Sequence, residues 1–330
     1  MTSARAVRAS LIPIAVIALV ALVGPSIAPH RSGDQFADRA YAPPMRVHFR
    51  DASGWHAPFV YAQHLDERIT RTYSEDRSRA VPLRWFDEGG VVSIDERYGP
   101  LLLLGGDELG RDVFSRLLRG AGLSLGVAAG GTIGALLIGI FVGGIAGTRG
   151  GRLDRWLMLV ADFILVLPGA YVILVLRGLL PLVLGAPEVF ALMTVLFAAS
   201  AWPHVARGVR AIVAAERTRE YAEAARASGA GTLGLLRHLV PAARGFVLIE
   251  IVLLVPALLV AEATVSYFGI GFPEPTASWG TMLQEAGNVT MMADAPWLLA
   301  SAVAIFVVVF ALHIAGGTRT EHALFTSSRS

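Results

Sequence analysis

The sequence predicts an all-α integral membrane protein of about six transmembrane helices with both termini on the inner side. Three observations predict it. Hydrophobic residues make up 54% of the 330-residue chain and charged residues only 16%, a balance outside that of ordinary soluble domains. Six runs, 9 to 28, 121 to 147, 155 to 181, 187 to 206, 244 to 271 and 295 to 316, each reach the length of about 20 mainly apolar residues that a bilayer core demands. The arginines flanking those runs gather on alternate sides, and positive charge near helix ends stays inside.

Composition also closes several chemistries. There is no cysteine, so disulfides, thiolate metal sites and cysteine nucleophiles are excluded. Every basic side chain other than histidine is arginine, because the chain has no lysine. A phosphate-loop lysine or a Schiff base is therefore impossible here, and any ATP that drives this chain binds elsewhere. The formal net charge is +2 with the arginines spread over connecting loops, which argues against a nucleic-acid partner.

The first run follows Arg5 and Arg8 and ends in Ser26-Ile27-Ala28. That pattern resembles a signal-peptide end, but Pro29 makes a poor cleavage partner, and residues 1–28 are expected to be an uncleaved anchor. The segment 29–106 mixes charge and proline with Trp55, Phe59, Tyr61, Trp85 and Phe86. Two readings stand for it: a small extracytoplasmic domain, or an irregular segment packed on the helices. In 107–120, Leu109, Val113, Leu117 and Leu118 at helical spacing predict an amphipathic helix at the outer interface.

The second run carries Gly126, Gly130 and Gly134, then Gly139, Gly143 and Gly147. Small residues every four positions let another helix backbone approach closely, so tight helix packing is expected along this side. Counting arginines with both termini inside puts Arg149, Arg152 and Arg155, then Arg207, Arg210, Arg217, Arg219, Arg226, Arg237 and Arg244, in inner segments; the short outer loops hold only Arg177. Ionisable residues inside the runs are Asp162, Glu250 and Glu262. An intramembrane charge is costly and marks a polar pathway by default, and Glu262 is the candidate to line one.

The longest inner loop, 207–243, carries Glu220-Tyr-Ala-Glu223-Ala224-Ala225-Arg-Ala-Ser-Gly229 and ends near Pro241. Its alanines favour a helix, Gly229 permits the backbone to turn, and a second short helix follows. This stretch resembles the coupling loop, the EAA motif, of bacterial binding-protein-dependent ABC importer permeases. Asp107-Glu-Leu-Gly-Arg-Asp-Val-Phe-Ser-Arg116, Gly150-Gly-Arg-Leu-Asp154, and Ala261-Glu-Ala-Thr-Val-Ser-Tyr-Phe-Gly269 with Ala277-Ser-Trp-Gly280 resemble the C-type subunit of dipeptide, oligopeptide and nickel systems. The resemblance runs from about residue 105 to 310. Gly122 departs from it, standing where relatives often have arginine.

The resemblance implies a type I importer permease fold in a bacterial inner membrane, with a permease core over 107–317 and a cytoplasmic tail over 318–330. It implies peptide import as one subunit among several: a second homologous permease, two ATP-binding subunits and an extracytoplasmic substrate-binding protein. ATP and Mg would be held by the ATPase chains, with no cofactor, metal or catalytic residue on this one. Glu223, Ala224, Ala225, Gly229 and Pro241 would carry the coupling. Two other classes are weighed against this. A proton-coupled secondary carrier would use the intramembrane carboxylates, although no inverted repeat is visible. An intramembrane serine hydrolase is suggested by Gly122-Leu-Ser124-Leu-Gly126 with His204 and His313, a pattern that needs a strand-to-helix turn at the serine. Gly229-Ala-Gly231-Thr-Leu-Gly234 also matches a dinucleotide fingerprint, but follows a helix rather than a strand.

Overall fold

The computed structural model describes residues 2–51, 54–68, 70–87, 90–167, 175, 184–287 and 293–327. Among them are nine α-helices: α1 (Thr2–Ile27), α2 (Val113–Arg149), α3 (Gly151–Val166), α4 (Ala186–Glu216), α5 (Glu220–Ala227), α6 (Thr232–Leu239), α7 (Arg244–Tyr267), α8 (Trp279–Glu285) and α9 (Ala300–Ser327). Among the described residues, four stretches are long and apolar enough to cross a membrane: Val113–Arg149, Ala186–Glu216, Thr232–Tyr267 and Pro296–Ala315. The apolar part of α1, Ile12–Ile27, is shorter. Of the expected 155 to 181 run, α3 supplies the first part; the rest, Arg177 included, lies outside the described residues apart from Val175.

The chain forms two compact units. One comprises Met1–Ala15, Leu125–Val265 and Val308–Ser330; the other comprises Val16–Ser124 and Ser266–Val307. In the first, the glycine stripe of α2 lies along α4. A Cβ on Gly126 would meet Phe190 at 3.0 Å, one on Gly130 would meet Thr194 at 2.9 Å, one on Gly134 would meet Ala198 at 2.6 Å and one on Gly147 would meet Val213 at 2.8 Å. Partner numbers rise with glycine numbers, so the two helices run parallel. The close approach expected from the spacing is present along most of α2, and dispersion contacts at this separation hold the pair together. Asp154 of α3 receives Arg210 of α4 in a two-pronged ion pair, Nε to Oδ1 at 2.9 Å and Nη2 to Oδ2 at 2.5 Å.

The second unit corrects the all-α expectation. Strands β1 (His48–Asp51), β2 (Gly54–Glu67) and β3 (Thr72–Pro82) form an antiparallel sheet in that order, and β4 (Arg84–Asp87) pairs with β5 (Gly90–Ser93). Val60 stands opposite Val81 and Trp85 opposite Val92. A core of Ala42, Met45, Val60, Ala62, Val81, Ile94, Leu101 and Leu102 lies beneath. The strands alone are too polar to bury themselves, and five of these eight core residues flank them, Ala42, Met45, Ile94, Leu101 and Leu102. Those flanking apolar residues give the sheet the covered face that a few strands need for stability.

A second correction concerns 107–120. No separate interfacial helix forms there. The Asp107 carboxylate accepts the amides of Leu109 and Arg111, each at 2.9 Å, and Gly110 turns at a φ of +75° where a Cβ would strike the Phe36 carbonyl. That conformation ends any helix N-terminal to it and suits glycine alone. Asp112 then caps α2, accepting from the amides of Phe114 at 3.0 Å and Ser115 at 3.2 Å, so the helix starts at Val113 and continues unbroken to Arg149. Acidic side chains satisfy the free amides of a helix start in this manner. Gly122, the departure noted in the sequence, packs against α1: a Cβ there would lie 3.0 Å from the Ala21 carbonyl and 3.3 Å from Pro25. A long side chain has no room on that face.

Candidate functional site

The loop between α4 and α7 folds as two short helices around a glycine. Ser228 ends α5 by returning its amide to Ala224 O at 3.0 Å and its hydroxyl to the same oxygen at 2.9 Å. Gly229 follows at a φ of +82°, the left-handed geometry that lets Ala230 N reach back to Ala225 O at 3.0 Å, as helix-ending glycines do. α6 then leads through a 3-10 turn over Val240–Ala243, which holds Pro241, into α7.

What fixes this element is apolar burial on one side and polar ties at its ends. Ala222, Leu235, Leu239 and Ala243 are buried. Arg226 Nη2 donates to Arg217 O at 2.6 Å, Arg217 Nη1 to Thr148 O at 3.4 Å, and Arg149 Nε to Thr232 Oγ1 at 3.2 Å. The C-terminal ends of α2 and α4 thus hold both halves of the loop. On the other side Glu223, Ala224, Gly229 and Pro241 are exposed and Ala225 is half-buried; Leu233 is 75% exposed. Nothing lies within 4 Å of where a Cβ on Gly229 or Gly231 would stand. The five residues singled out from the sequence therefore sit on one anchored element, which leaves a surface of small side chains beside an exposed leucine. Such a surface admits close approach of a partner backbone and supplies an apolar contact.

Glu262 lies elsewhere, fully buried in the first unit on α7. Asp162 is half-exposed, with Arg207 Nε 3.6 Å from its Oδ1.

The second unit holds a cluster that reading the sequence missed. Arg111 and Arg116, expected on an exposed polar face, are each only 1% exposed at the side chain, as is Asp107. Arg111 Nε donates to Asp107 Oδ2 at 2.6 Å, its Nη1 to Glu274 at 2.5 Å and its Nη2 to Glu285 Oε1 at 3.0 Å. Arg116 Nη2 donates to the same Glu285 oxygen at 2.5 Å and its Nη1 to Ser32 O at 3.1 Å. Burial pushes the Glu285 carboxyl up to about 7, outweighing the pull of Arg116 and Arg111 in the other direction. Burial acts to lower Arg111, but Glu285, Asp107 and Glu274 more than offset it, and its guanidinium is held above its ordinary value. Nearby, Trp279 Nε1 donates to Leu117 O at 2.9 Å and its amide to Ser124 Oγ at 3.0 Å.

The motifs pair off accordingly. Asp107–Arg116 meets Glu274 and Glu285, which flank Ala277–Gly280, in the second unit, while Gly150–Asp154 and the loop after α4 are tied to shared helices in the first. The signal that pointed to the cluster was the pair of arginines among three acidic residues in 107–116; their burial was not visible from spacing.

The competing patterns fit poorly. Ser124 sits inside the continuous helix α2, fully buried, and accepts the Trp279 amide, so the strand-to-helix elbow is absent. The glycines of 229–234 follow helix α5 and open helix α6, with no strand before them.

Comparison with known proteins bears on the same segments. The family described as binding-protein-dependent transport system inner membrane component matches residues 135–316. The oligopeptide transport system permease protein OppC of Bacillus subtilis (strain 168) is 37% identical over 196 residues, 59% of this chain and 62% of that protein. The dipeptide transport system permease protein DppC of the same strain is 36% identical, covering 59% of each. The nickel transport system permease protein NikC of Escherichia coli (strain K12) is 33% identical over 222 residues, 66% of this chain and 77% of that protein. The matched part of this chain thus spans about three fifths of the length of the two Bacillus relatives. A solved inward-facing structure of the MetNI methionine ABC transporter matches with a TM-score of 0.49 at 20% identity, covering 62% of this chain and 95% of that one. With over half its length matched by the family, the chain belongs to the binding-protein-dependent transport system inner membrane components.

Proposed function

We propose that this chain is one permease subunit of an ATP-driven, binding-protein-dependent importer, and that its substrates are peptides. The observation that carries this reading is the anchored α5–Gly229–α6 element, whose exposed small residues suit a groove on a soluble ATPase. Membership of the family and the names of the relatives, two of the three concerned with peptides, support the substrate class.

In this reading the chain crosses a bacterial inner membrane six times as a type I permease, N-in and C-in, with 29–106 on the outer side. A second permease, two ATPase chains and an external binding protein complete the assembly; ATP and Mg reside on the ATPases. Closure of the ATPases on ATP moves α5 and α6, and the tie from Arg217 to Thr148 passes that movement to the ends of α2 and α4. A ligand shifts such an equilibrium only through different affinity for the two states, so Glu223, Ala224, Ala225, Gly229 and Pro241 must meet the ATPase differently before and after closure. Glu262, a carboxylate placed at membrane depth at considerable cost, is assigned to the translocation pathway.

The test is affinity purification of the tagged chain from native membranes, followed by reconstitution with whatever copurifies. Recovery of a Walker A ATPase and a second permease, with ATP-dependent uptake of peptides and not of nickel, is the expected result. Recovery of the chain alone, with uptake driven by a proton gradient, would point to a secondary carrier instead.

A further inference from the structure

Two ionisable side chains inside the apolar spans meet on the open edge of the α4–α7 seam. The two helices pack antiparallel. Phe197 and Leu258 both reach Gly131 of α2, where a Cβ would lie 2.9 Å from one and 3.1 Å from the other, and a Cβ on Gly208 would run into the Phe246 ring. One turn back from Gly208 stands His204 and one turn on from Phe246 stands Glu250, so the same register sets the imidazole beside the carboxyl; the two interact electrostatically. His204 lies about three turns before the end of α4 and Glu250 about two turns into α7. Trp202, Pro203 and Val205 beside it are buried, whereas His204 is exposed and Glu250 half-buried. The edge continues along α4 as Ser200, half-buried, and as Arg207, whose charge is offset by Asp162 at 3.6 Å. Glu250 is left as its net charge. Elsewhere the first unit turns apolar side chains outward: Ile133, Leu137 and Phe141 form an exposed stripe on α2. Leu137 is level with the α4–α7 edge, because Gly134 meets Ala198 and Gly139 meets Trp202 and Val205. Lipid suits the α2 stripe, but a carboxyl and an imidazole at that depth face water or protein.

We propose that the edge carrying Ser200, His204 and Glu250 lines the water-filled path between this chain and the second permease, in the half nearest the coupling loop, and that it receives a positively charged group of the substrate. This deepens the importer reading and rests on it for the existence of the path. A carboxylate beside a ring nitrogen, set in a wall of low dielectric, attracts cations and repels anions. A peptide ammonium and a divalent metal ion share that chemistry.

The absence of cysteine from the chain makes the test direct. Ser200→Cys, His204→Cys and Leu137→Cys are made singly in the full chain, held in lipid nanodiscs with whatever copurifies, and reacted with membrane-impermeant cationic and anionic methanethiosulfonates. Labelling is read on this chain by mass spectrometry, and each rate is divided by that of the same reagent with a free thiol in solution. Ser200→Cys and His204→Cys should react at least about tenfold faster than Leu137→Cys, with the cationic reagent ahead of the anionic one by about tenfold, a preference that Glu250→Gln removes. Protection of Ser200→Cys by alanyl-alanine amide, which has an ammonium and no carboxylate, assigns the cation to a peptide end; protection by nickel ion assigns it to a metal. Rates at Ser200→Cys and His204→Cys no faster than at Leu137→Cys would overturn the aqueous edge. Equal rates for the two reagents, or protection by neither probe, would overturn the cation assignment. The presence of an ATPase and a second permease is scored on the same preparation, so failure of the importer reading is seen separately from failure of this one.

Discussion

Arg116 and Glu285, 169 residues apart in sequence, meet at 2.5 Å with the arginine side chain only 1% exposed. An ion pair this enclosed is not a source of stability by default, because both charges have lost their water. Breaking it is another matter. Arg116→Ala leaves Glu285 and Asp107 to share Arg111 alone, so the cost approaches, without reaching, the ~3–5 kcal/mol of a buried charge left with no partner. We expect a large drop in the thermal midpoint of the full chain in detergent. Arg116→Met should lose less if Glu285→Gln is made with it, since the pair is then removed rather than split.

The same carboxyl sets a sign for pH. Glu285 is raised from an ordinary value of 4.5 to about 7 by burial, so between those values the folded chain keeps a proton that the unfolded chain has lost. Its contribution to stability is therefore most favourable below about 4.5, falls as pH rises, and levels off above about 7. The full span corresponds to about 3 kcal/mol. Melting temperature measured from pH 5 to pH 8 should decline more steeply for the native chain than for Glu285→Gln. Parallel slopes would show that other groups set the dependence.

The helices were legible because their signals are local. Twenty-residue apolar runs, a glycine every fourth position and a glycine after an alanine-rich turn all speak within a window of one element, and α2, α4 and α7 lie close to where those signals put them. The parts that were not legible depend on distance in sequence. Arg111 finds Glu274 and Glu285 across 163 and 174 residues, so spacing within 107–116 suggested an exposed polar face instead. The sheets of 48–93 were not specified for a related reason: 29–106 was left open between a small domain and an irregular segment, and the core that decides it joins Ala42 and Met45 to Leu101 and Leu102 across about 60 residues of chain.

The glycine stripe makes a paired prediction. Gly134→Val would drive a Cβ to 2.6 Å from that of Ala198, and overpacking of a close-packed interface costs about 1–3 kcal/mol. The helices would have to separate. Gly231→Ala meets nothing within 4 Å and has an ordinary extended backbone at φ −70°, so it should be close to neutral. Expression and detergent stability of the two variants side by side give the comparison. Equal behaviour would mean that the α2–α4 contact is not limiting.

Asp154 and Arg210 offer a double-mutant cycle within the first unit. Asp154 is 12% exposed and Arg210 40% exposed at the side chain, so screening by solvent reduces the pair, and a coupling of about 1 kcal/mol is expected. Asp154→Asn and Arg210→Gln should each destabilise, and the double variant should lose less than their sum. Strict additivity would mean that the two-pronged contact contributes nothing beyond its separate parts.

The coupling surface is tested best at Gly229, because the structure separates two effects there. Any side chain at its φ of +82° strains the backbone by about 1 kcal/mol, yet no atom stands within 4 Å to clash with it. Gly229→Ala therefore carries the strain with little bulk, and Gly229→Trp carries the same strain with a large group on the exposed face. If that face docks on an ATPase, the tryptophan variant should fold about as well as the alanine variant but lose uptake while its partners still hydrolyse ATP. If the residue serves only to end α5, both variants should lose stability equally and transport in proportion to it. Uptake and hydrolysis measured together in proteoliposomes distinguish the two, since a purely structural role cannot make the bulky variant uncouple more than the small one.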